Sequence, residues 1–237
     1  MSRKNVQEKS RALKFQITES YKKARTNIVY SIIKKGCKKI AFTSPYKNEG
    51  KTTTVINIAI ALSQQVNTKV VVIDCDLRRP SAHTLLNVAP EMGLVNYLND
   101  ECSLDEVVAY TDNPRLDFIS VGAIPPNPSE LLSSDAMGEL VAKLETMYDY
   151  ILFDTPPVNM VIDVVPLIRY CDGISVIIRH NHTTYPDLNQ AFDILTNAGA
   201  KILGVIVNRV PALENKKSYY KSDIYRTGSH KHYRGKR

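Results

Sequence analysis

The sequence predicts an α/β fold, a mostly parallel twisted sheet flanked by helices, and three observations carry that prediction. Short apolar runs alternate with segments of helical period from Lys39 to Asn208. Two of the runs, Val70-Val71-Val72-Ile73 and Tyr150-Ile151-Leu152-Phe153, are apolar without interruption, as strands buried on both faces are. Both stop at carboxylates, Asp74 and Asp154, and an earlier run enters Pro45-Tyr46-Lys47-Asn48-Glu49-Gly50-Lys51-Thr52 directly. Strands that alternate with helices pair in parallel through right-handed crossovers.

The elements follow in order. Residues 11–34 carry Tyr21, Ala24, Ile28 and Ile32 at three- and four-residue spacing, which predicts an amphipathic helix ending near Gly36. Residues 40–44 are the first strand. The stretch 52–64 has helical period and turns Val55, Ile56, Ala59, Ile60 and Ser63 to one face. The strand at 69–76 comes next, then short helices at 81–86, 94–98 and 104–109 and a strand at 116–120. Pro125-Pro126-Asn127-Pro128 forces an extended turn, and Ser129 caps Glu130-Leu131-Leu132. A helix at 135–147 leads to the strand at 150–154, which Thr155-Pro156-Pro157 ends. Helix 163–170, strand 173–179, helix 187–197 and strand 201–208 complete the alternation. From Leu213 onward almost no aliphatic residue remains, so 213–237 is read as a disordered or weakly ordered tail. The expected organisation is an N-terminal segment (1–36), one core (37–212) and the tail (213–237).

A chain of 237 residues with 43% apolar content supports one sizeable core. No run of eighteen apolar residues and no signal-like N-terminus appear, so a soluble, intracellular protein is expected. Cys37, Cys75, Cys102 and Cys171 are scattered without a Cys-x-x-Cys pair, the pattern of buried thiols rather than of a disulfide framework or a zinc site. The net charge of +7 is concentrated at the ends. Residues 1–25 and 212–237 each carry eight Lys/Arg against two Asp/Glu, or +6 apiece, which leaves −5 for 26–211. A basic stripe across the core is therefore not indicated, and nucleic acid is not an expected partner. Solvated basic ends are the plain reading; contact with an anionic partner is the alternative.

The chemistry gathers around the loop. Gly50-Lys51-Thr52 closes a phosphate-binding loop of Walker A type, in which backbone N–H groups and a helix N-terminus face phosphates and the Lys ammonium reaches the outer ones. Tyr46, Lys47, Asn48, Glu49 and Thr53 complete the binding segment, and the Thr52 hydroxyl is a candidate ligand for Mg²⁺. Pro45 replaces the first loop glycine, so the motif is a deviant one. In an open α/β sheet ligands bind beyond the carboxyl ends of the strands. The loop, Asp74, Asp76 and Asp154 all belong to such ends and should converge. Asp residues commonly end strands at turns, but three of them beside one Lys and one hydroxyl form a set suited to phosphoryl transfer.

Asp74-Cys75-Asp76-Leu77-Arg78 resembles the Walker A′ motif of the bacterial tyrosine kinases that serve capsule and exopolysaccharide synthesis. Gly122–Leu132 (GAIPPNPSELL), Asp154-Thr155-Pro156-Pro157 and the terminal tyrosines are also similar to that family, so the likeness spans nearly the whole chain. Glu19, Lys22 and Arg25 resemble its E-x-x-R-x-x-R oligomerisation helix, with Lys22 in place of the first Arg. The family loop usually reads P-G-E-G-K-S, and Lys47-Asn48 stand here for Pro-Gly.

The resemblance implies an ATP-dependent protein-tyrosine kinase with a P-loop architecture. It implies that Asp74 accepts the tyrosine proton, that Thr52, Asp76 and, through water, Asp154 hold Mg²⁺, and that Lys51 and the loop amides bind the phosphates. It implies that Arg78 senses or pairs with them and that Asn208 reads the adenine edge; a plain turn residue is the other reading of Asn208. Tyr219, Tyr220, Tyr225 and Tyr233 become the autophosphorylation sites, used in trans within a ring-like homo-oligomer. A transmembrane polysaccharide co-polymerase that activates the site and a cognate tyrosine phosphatase are the implied partners, which would keep the chain cytoplasmic and peripheral to the inner face of the membrane. Two alternatives stay open. One is a positioning ATPase of the MinD/ParA kind, which shares the sheet but carries a signature Lys where Tyr46 stands; the other is a nucleotide-binding adaptor without significant turnover.

Overall fold

The computed structural model describes residues 3–88 and 91–211. The tail expected at 213–237, with Tyr219, Tyr220, Tyr225 and Tyr233, lies outside the described residues. A seven-stranded sheet forms the centre, with β1 at Lys38–Thr43, β2 at Val70–Asp74, β3 at Val108–Tyr110, β4 at Leu116–Ile119, β5 at Tyr150–Asp154, β6 at Gly173–Arg179 and β7 at Ile202–Asn208. Their order is β3-β4-β2-β5-β1-β6-β7, and every pairing is parallel except β3 with β4. β2 and β5 are buried at every position.

Alternation along these strands builds two cores, because successive side chains leave opposite faces. Val71, Ile73, Ile151, Phe153 and Ile174 join Leu140 and Leu144 on one face. Val70, Val72, Leu152, Ile40 and Phe42 join Val55, Ile58 and Leu62 on the other. The helices are α1 (Arg3–Ser31), α2 (Lys51–Ser63), α3 (Ala82–Leu86), α4 (Leu94–Leu98), α5 (Leu104–Val107), α6 (Pro128–Leu132), α7 (Asp135–Glu145) and α8 (Tyr185–Asn197), with a 3₁₀ turn at Val165–Tyr170. Of the predicted α1 face, Ile28 and Ile32 are buried in the α2-side core, and Tyr21 and Ala24 pack against it.

Several expectations need correction. α1 ends at Ser31 rather than near Gly36, and α2 leaves Ile60 exposed while burying Ile58, Ala61 and Leu62. Residues 108 and 109, expected in a helix, belong to the antiparallel strand β3, where Ala109 pairs with Phe118. Ser129 is not a cap: α6 starts two residues before the predicted Glu130, with Pro128 at its first position, where a missing N–H costs nothing. The helix expected at 163–170 is the shorter 3₁₀ turn.

α8 starts at Tyr185, ahead of the predicted 187, because Thr184 and Asp187 form a reciprocal capping box. The Thr184 N–H donates to Asp187 Oδ2 at 2.9 Å, and Thr184 Oγ1 accepts from the Asp187 N–H. Thr184→Ala is expected to lower stability by about 1 kcal/mol, read as a shift of the urea midpoint at unchanged slope.

Candidate active site

The carboxyl ends of three adjacent strands, β2, β5 and β1, make the site. Asp74 and Asp154 are register partners on neighbouring parallel strands, so the fold sets two carboxylates side by side. Both are buried, at 0% and 1% exposure. Like charges so placed repel. The Asp74 carboxyl is pushed up to about 7, first by burial and then by Asp154, with Lys51 acting against both.

Lys51, the first residue of α2 and itself buried, is the local counter-charge. Its Nζ donates to Asp154 Oδ1 at 2.5 Å and stands 3.9 Å from Asp76 Oδ2. Thr52 Oγ1 lies 3.5 Å from Lys51 Nζ and 3.5 Å from Ser81 Oγ. Asp74 is spent on backbone, accepting from the N–H of Asp76 at 3.1 Å and from those of Ser81 and Ala82 at 3.3 Å. Burial raises the Asp76 carboxyl too, and Lys51 opposes the rise.

The phosphate loop is held by side chains more than by glycines. Gly50 sits at φ +88° and Asn48 at φ +65°, the left-handed region that Gly and Asn tolerate best. Glu49 is buried, its Oε2 accepting from the Tyr46 N–H at 3.1 Å and its Oε1 from the Thr183 hydroxyl. Burial raises its carboxyl, while those two hydrogen bonds pull it back. Asn208, at the end of β7, donates through Nδ2 to the Glu49 carbonyl at 2.9 Å. In this conformation its amide therefore braces the loop.

A cavity of about 520 Å³ opens over this floor. Lys47, Asn48, Glu49, Gly50, Lys51, Thr52, Thr53, Asp76 and Arg78 line it; Tyr46, Asp74, Asp154 and Asn208 do not. Ser81, Arg79, Arg209 and the apolar wall of Leu85, Pro157, Met160 and Val161 also line it, and sequence reasoning missed them. Arg79 and Ser81 had a signal in their adjacency to Asp76 and Arg78; Arg209, next to Asn208, had one only after the fact.

The residues present suit Mg²⁺. Asp154 Oδ2 is buried and without a hydrogen-bond partner, an oxygen left for a metal-bound water. Asp76 and Thr52 offer oxygen ligands on the cavity wall beside it, and Mg²⁺ takes few protein ligands because phosphates and waters supply the rest.

Far from the cavity, Glu19 and Lys22 pair at 2.8 Å on the α1 surface. Arg25 points inward and donates to the Ala61 carbonyl at 3.0 Å, near the end of α2. No helix among the described residues is long and apolar enough to cross a membrane.

Residues 37–197 match the model of the AAA domain family. The chain is 37% identical over 191 residues to the tyrosine-protein kinase YwqD of Bacillus subtilis, covering 81% of this chain and 80% of that one. It is 30% identical over 207 residues to the putative tyrosine-protein kinase CapB of Staphylococcus aureus, covering 87% and 90%. The crystal structure of the chimerical protein CapA2B2 superposes with a TM-score of 0.77 at 30% identity, over 81% of this chain and 84% of the other.

Proposed function

Because the chain belongs to the tyrosine-protein kinases of bacterial capsule and exopolysaccharide synthesis, we propose that it phosphorylates the C-terminal tyrosines of a neighbouring copy, at Tyr219, Tyr220, Tyr225 and Tyr233. ATP is the donor. The observation that carries this reading is the position of Lys51, which is held at the head of α2 between Asp154 and Asp76 and beneath a cavity lined by the phosphate loop.

The backbone N–H groups of the loop and the start of α2 bind the phosphates, and Lys51 turns from Asp154 to the outer phosphoryl oxygens. Thr52 and Asp76 would hold Mg²⁺ directly, and Asp154 would hold it through water. Mg²⁺, when bound, neutralises charge on the phosphates and fixes them for in-line transfer. The tyrosine oxygen forms its bond to phosphorus as the bond to ADP breaks, and the phenolic proton passes to Asp74. Asp74 frees an oxygen for it by releasing its two long contacts, the N–H groups of Ser81 and Ala82.

The tail carries a charge of +6. Each phosphate adds nearly two negative charges, so about three or four transfers cancel it. Assembly is accordingly the state of the unmodified chain and dissociation that of the phosphorylated one. A flexible segment of about 25 residues has a root-mean-square reach on the order of 25–30 Å, enough to enter an adjacent copy. Glu19, Lys22 and Arg25 belong to the face between copies, and Arg25 reaches it by leaving the Ala61 carbonyl. The cytoplasmic end of a transmembrane co-polymerase activates the site, and a tyrosine phosphatase resets the tail.

Incubation with ATP and Mg²⁺ followed by mass spectrometry of the tail tests the reading. Phosphotyrosine is expected, weakly for the chain alone and strongly with the cytoplasmic peptide of the co-polymerase. Release of free phosphate without phosphotyrosine would point to a positioning ATPase, and neither product to an adaptor. Light scattering on the same samples should record a fall in mass; an unchanged mass at full tail phosphorylation refutes the assembly cycle.

A further inference from the structure

One buried carboxylate of the cavity region has no part in the mechanism above. Asp163, 1% exposed, lies beyond β5, outside the Asp154-Thr155-Pro156-Pro157 segment. Its Oδ2 accepts from Arg78 Nε at 2.7 Å, and its Oδ1 accepts both from Arg78 Nη2 at 3.1 Å and from the Ser129 hydroxyl at 2.6 Å. The three residues come from the segments that follow β2, β4 and β5. Ser129 lies in the Gly122–Leu132 stretch, whose likeness to the family had no chemical explanation, and that stretch is anchored by Leu132, fully buried in the core.

The geometry of the fork decides what it does. A bidentate carboxylate fixes the plane of a guanidinium as a single contact cannot. Arg78 is half-exposed and lines the cavity, yet Asp163 beneath it is buried, so the clamp is rigid at its base and open on the cavity side. The fork engages Nε and Nη2, and among the described residues Nη1 has no hydrogen-bond acceptor, which leaves its two N–H groups for an anionic ligand. A Ser hydroxyl on Oδ1 stops the carboxylate from rotating about its own axis.

We propose that Asp163 and Ser129 are positioning residues that hold the Arg78 guanidinium toward the cavity, where it stabilises the charge of the phosphoryl group in transfer. This rests on phosphotransfer at the cavity and assigns a role to the Pro-Ser-Glu-Leu-Leu segment of α6. A donor aimed in advance at developing charge accelerates the chemical step without tightening the ground state.

The test uses the full chain with ATP and Mg²⁺. It follows phosphate transfer to the tail under single-turnover conditions and ATP affinity by calorimetry. Asp163→Asn keeps the volume but turns an amide N–H₂ toward the fork, and is expected to slow transfer about 10-fold or more with ATP affinity within about twofold of wild type. Arg78→Lys should match it, and the double variant should be no slower than either single one, because both remove the same contact. Ser129→Ala, which leaves the Arg78–Asp163 pair in place, should slow transfer by about two- to fivefold and covers the case in which Asp163→Asn does not fold. Losses that multiply in the double variant overturn the proposal, as does an Asp163→Asn or Ser129→Ala chain that transfers at the wild-type rate. A wild-type chain that makes no phosphotyrosine overturns the kinase reading of the cavity itself, and this inference with it.

Discussion

Replacing Lys51 by methionine is expected to abolish phosphate transfer, by at least about 10²-fold, and to destabilise the fold as well. The two losses have one source. In the proposed mechanism Lys51 is the cation that reaches the phosphates, and in the structure it is the partner of the buried Asp154 carboxylate. Removing one member of a buried pair leaves an uncompensated charge and costs about 3–5 kcal/mol. Here the cost is aggravated because Asp154 already repels Asp74 across the strand pair. The double variant Lys51→Met with Asp154→Asn separates the effects. It removes the orphaned charge and the repulsion together, so melting temperature should recover while transfer stays absent. Detectable tail phosphorylation in either variant would remove Lys51 from the mechanism.

Gly50→Ala is expected to weaken ATP binding by about 100-fold. Two independent obstacles add. The residue sits at φ +88°, which costs an L-side chain about 1–2 kcal/mol. A Cβ there would lie 1.9 Å from Asn208 Nδ2, far inside contact distance. Asn208 cannot yield freely, because Nδ2 holds the Glu49 carbonyl and Oδ1 accepts from the Arg209 N–H at 2.8 Å. Overpacking of this kind costs about 1–3 kcal/mol. Combining Gly50→Ala with Asn208→Gly relieves the collision but not the dihedral, and should restore affinity in part. Calorimetry decides, and a Gly50→Ala chain that binds ATP as wild type does would mean the loop is not the nucleotide cradle.

The parts of this molecule legible in its sequence are those fixed by local pattern. Uninterrupted apolar runs marked β2 and β5 because strands covered on both faces need no polar side. The meeting of the Gly50-Lys51-Thr52 turn with the acidic strand ends followed from where the strands of an open α/β sheet end. What escaped was set by distant partners. β3 was hidden because Ser103 and Glu106 form a capping box that announces a helix, while the strand exists only through its pairing with β4. Asp163 looked like an ordinary helix start; its fork with Arg78 joins positions 85 residues apart, and no local spacing encodes that. The same holds for Asn208, whose side chain is committed to a loop 159 residues earlier. Ile60 fitted the helical period, yet the neighbouring strands chose Ile58 and Leu62 instead.

The end of β7 deserves a last consequence. Asn208 touches the phosphate loop and Arg209 lines the cavity, and Tyr219 follows only ten residues later. Fully stretched, that length spans at most about 35 Å. Under the proposed function each copy thus roots its acceptor tyrosines within that span of Arg209, and the supply of a neighbour's tyrosines is set by how closely copies assemble. Dilution then starves an exchange between copies while leaving a transfer within one copy untouched.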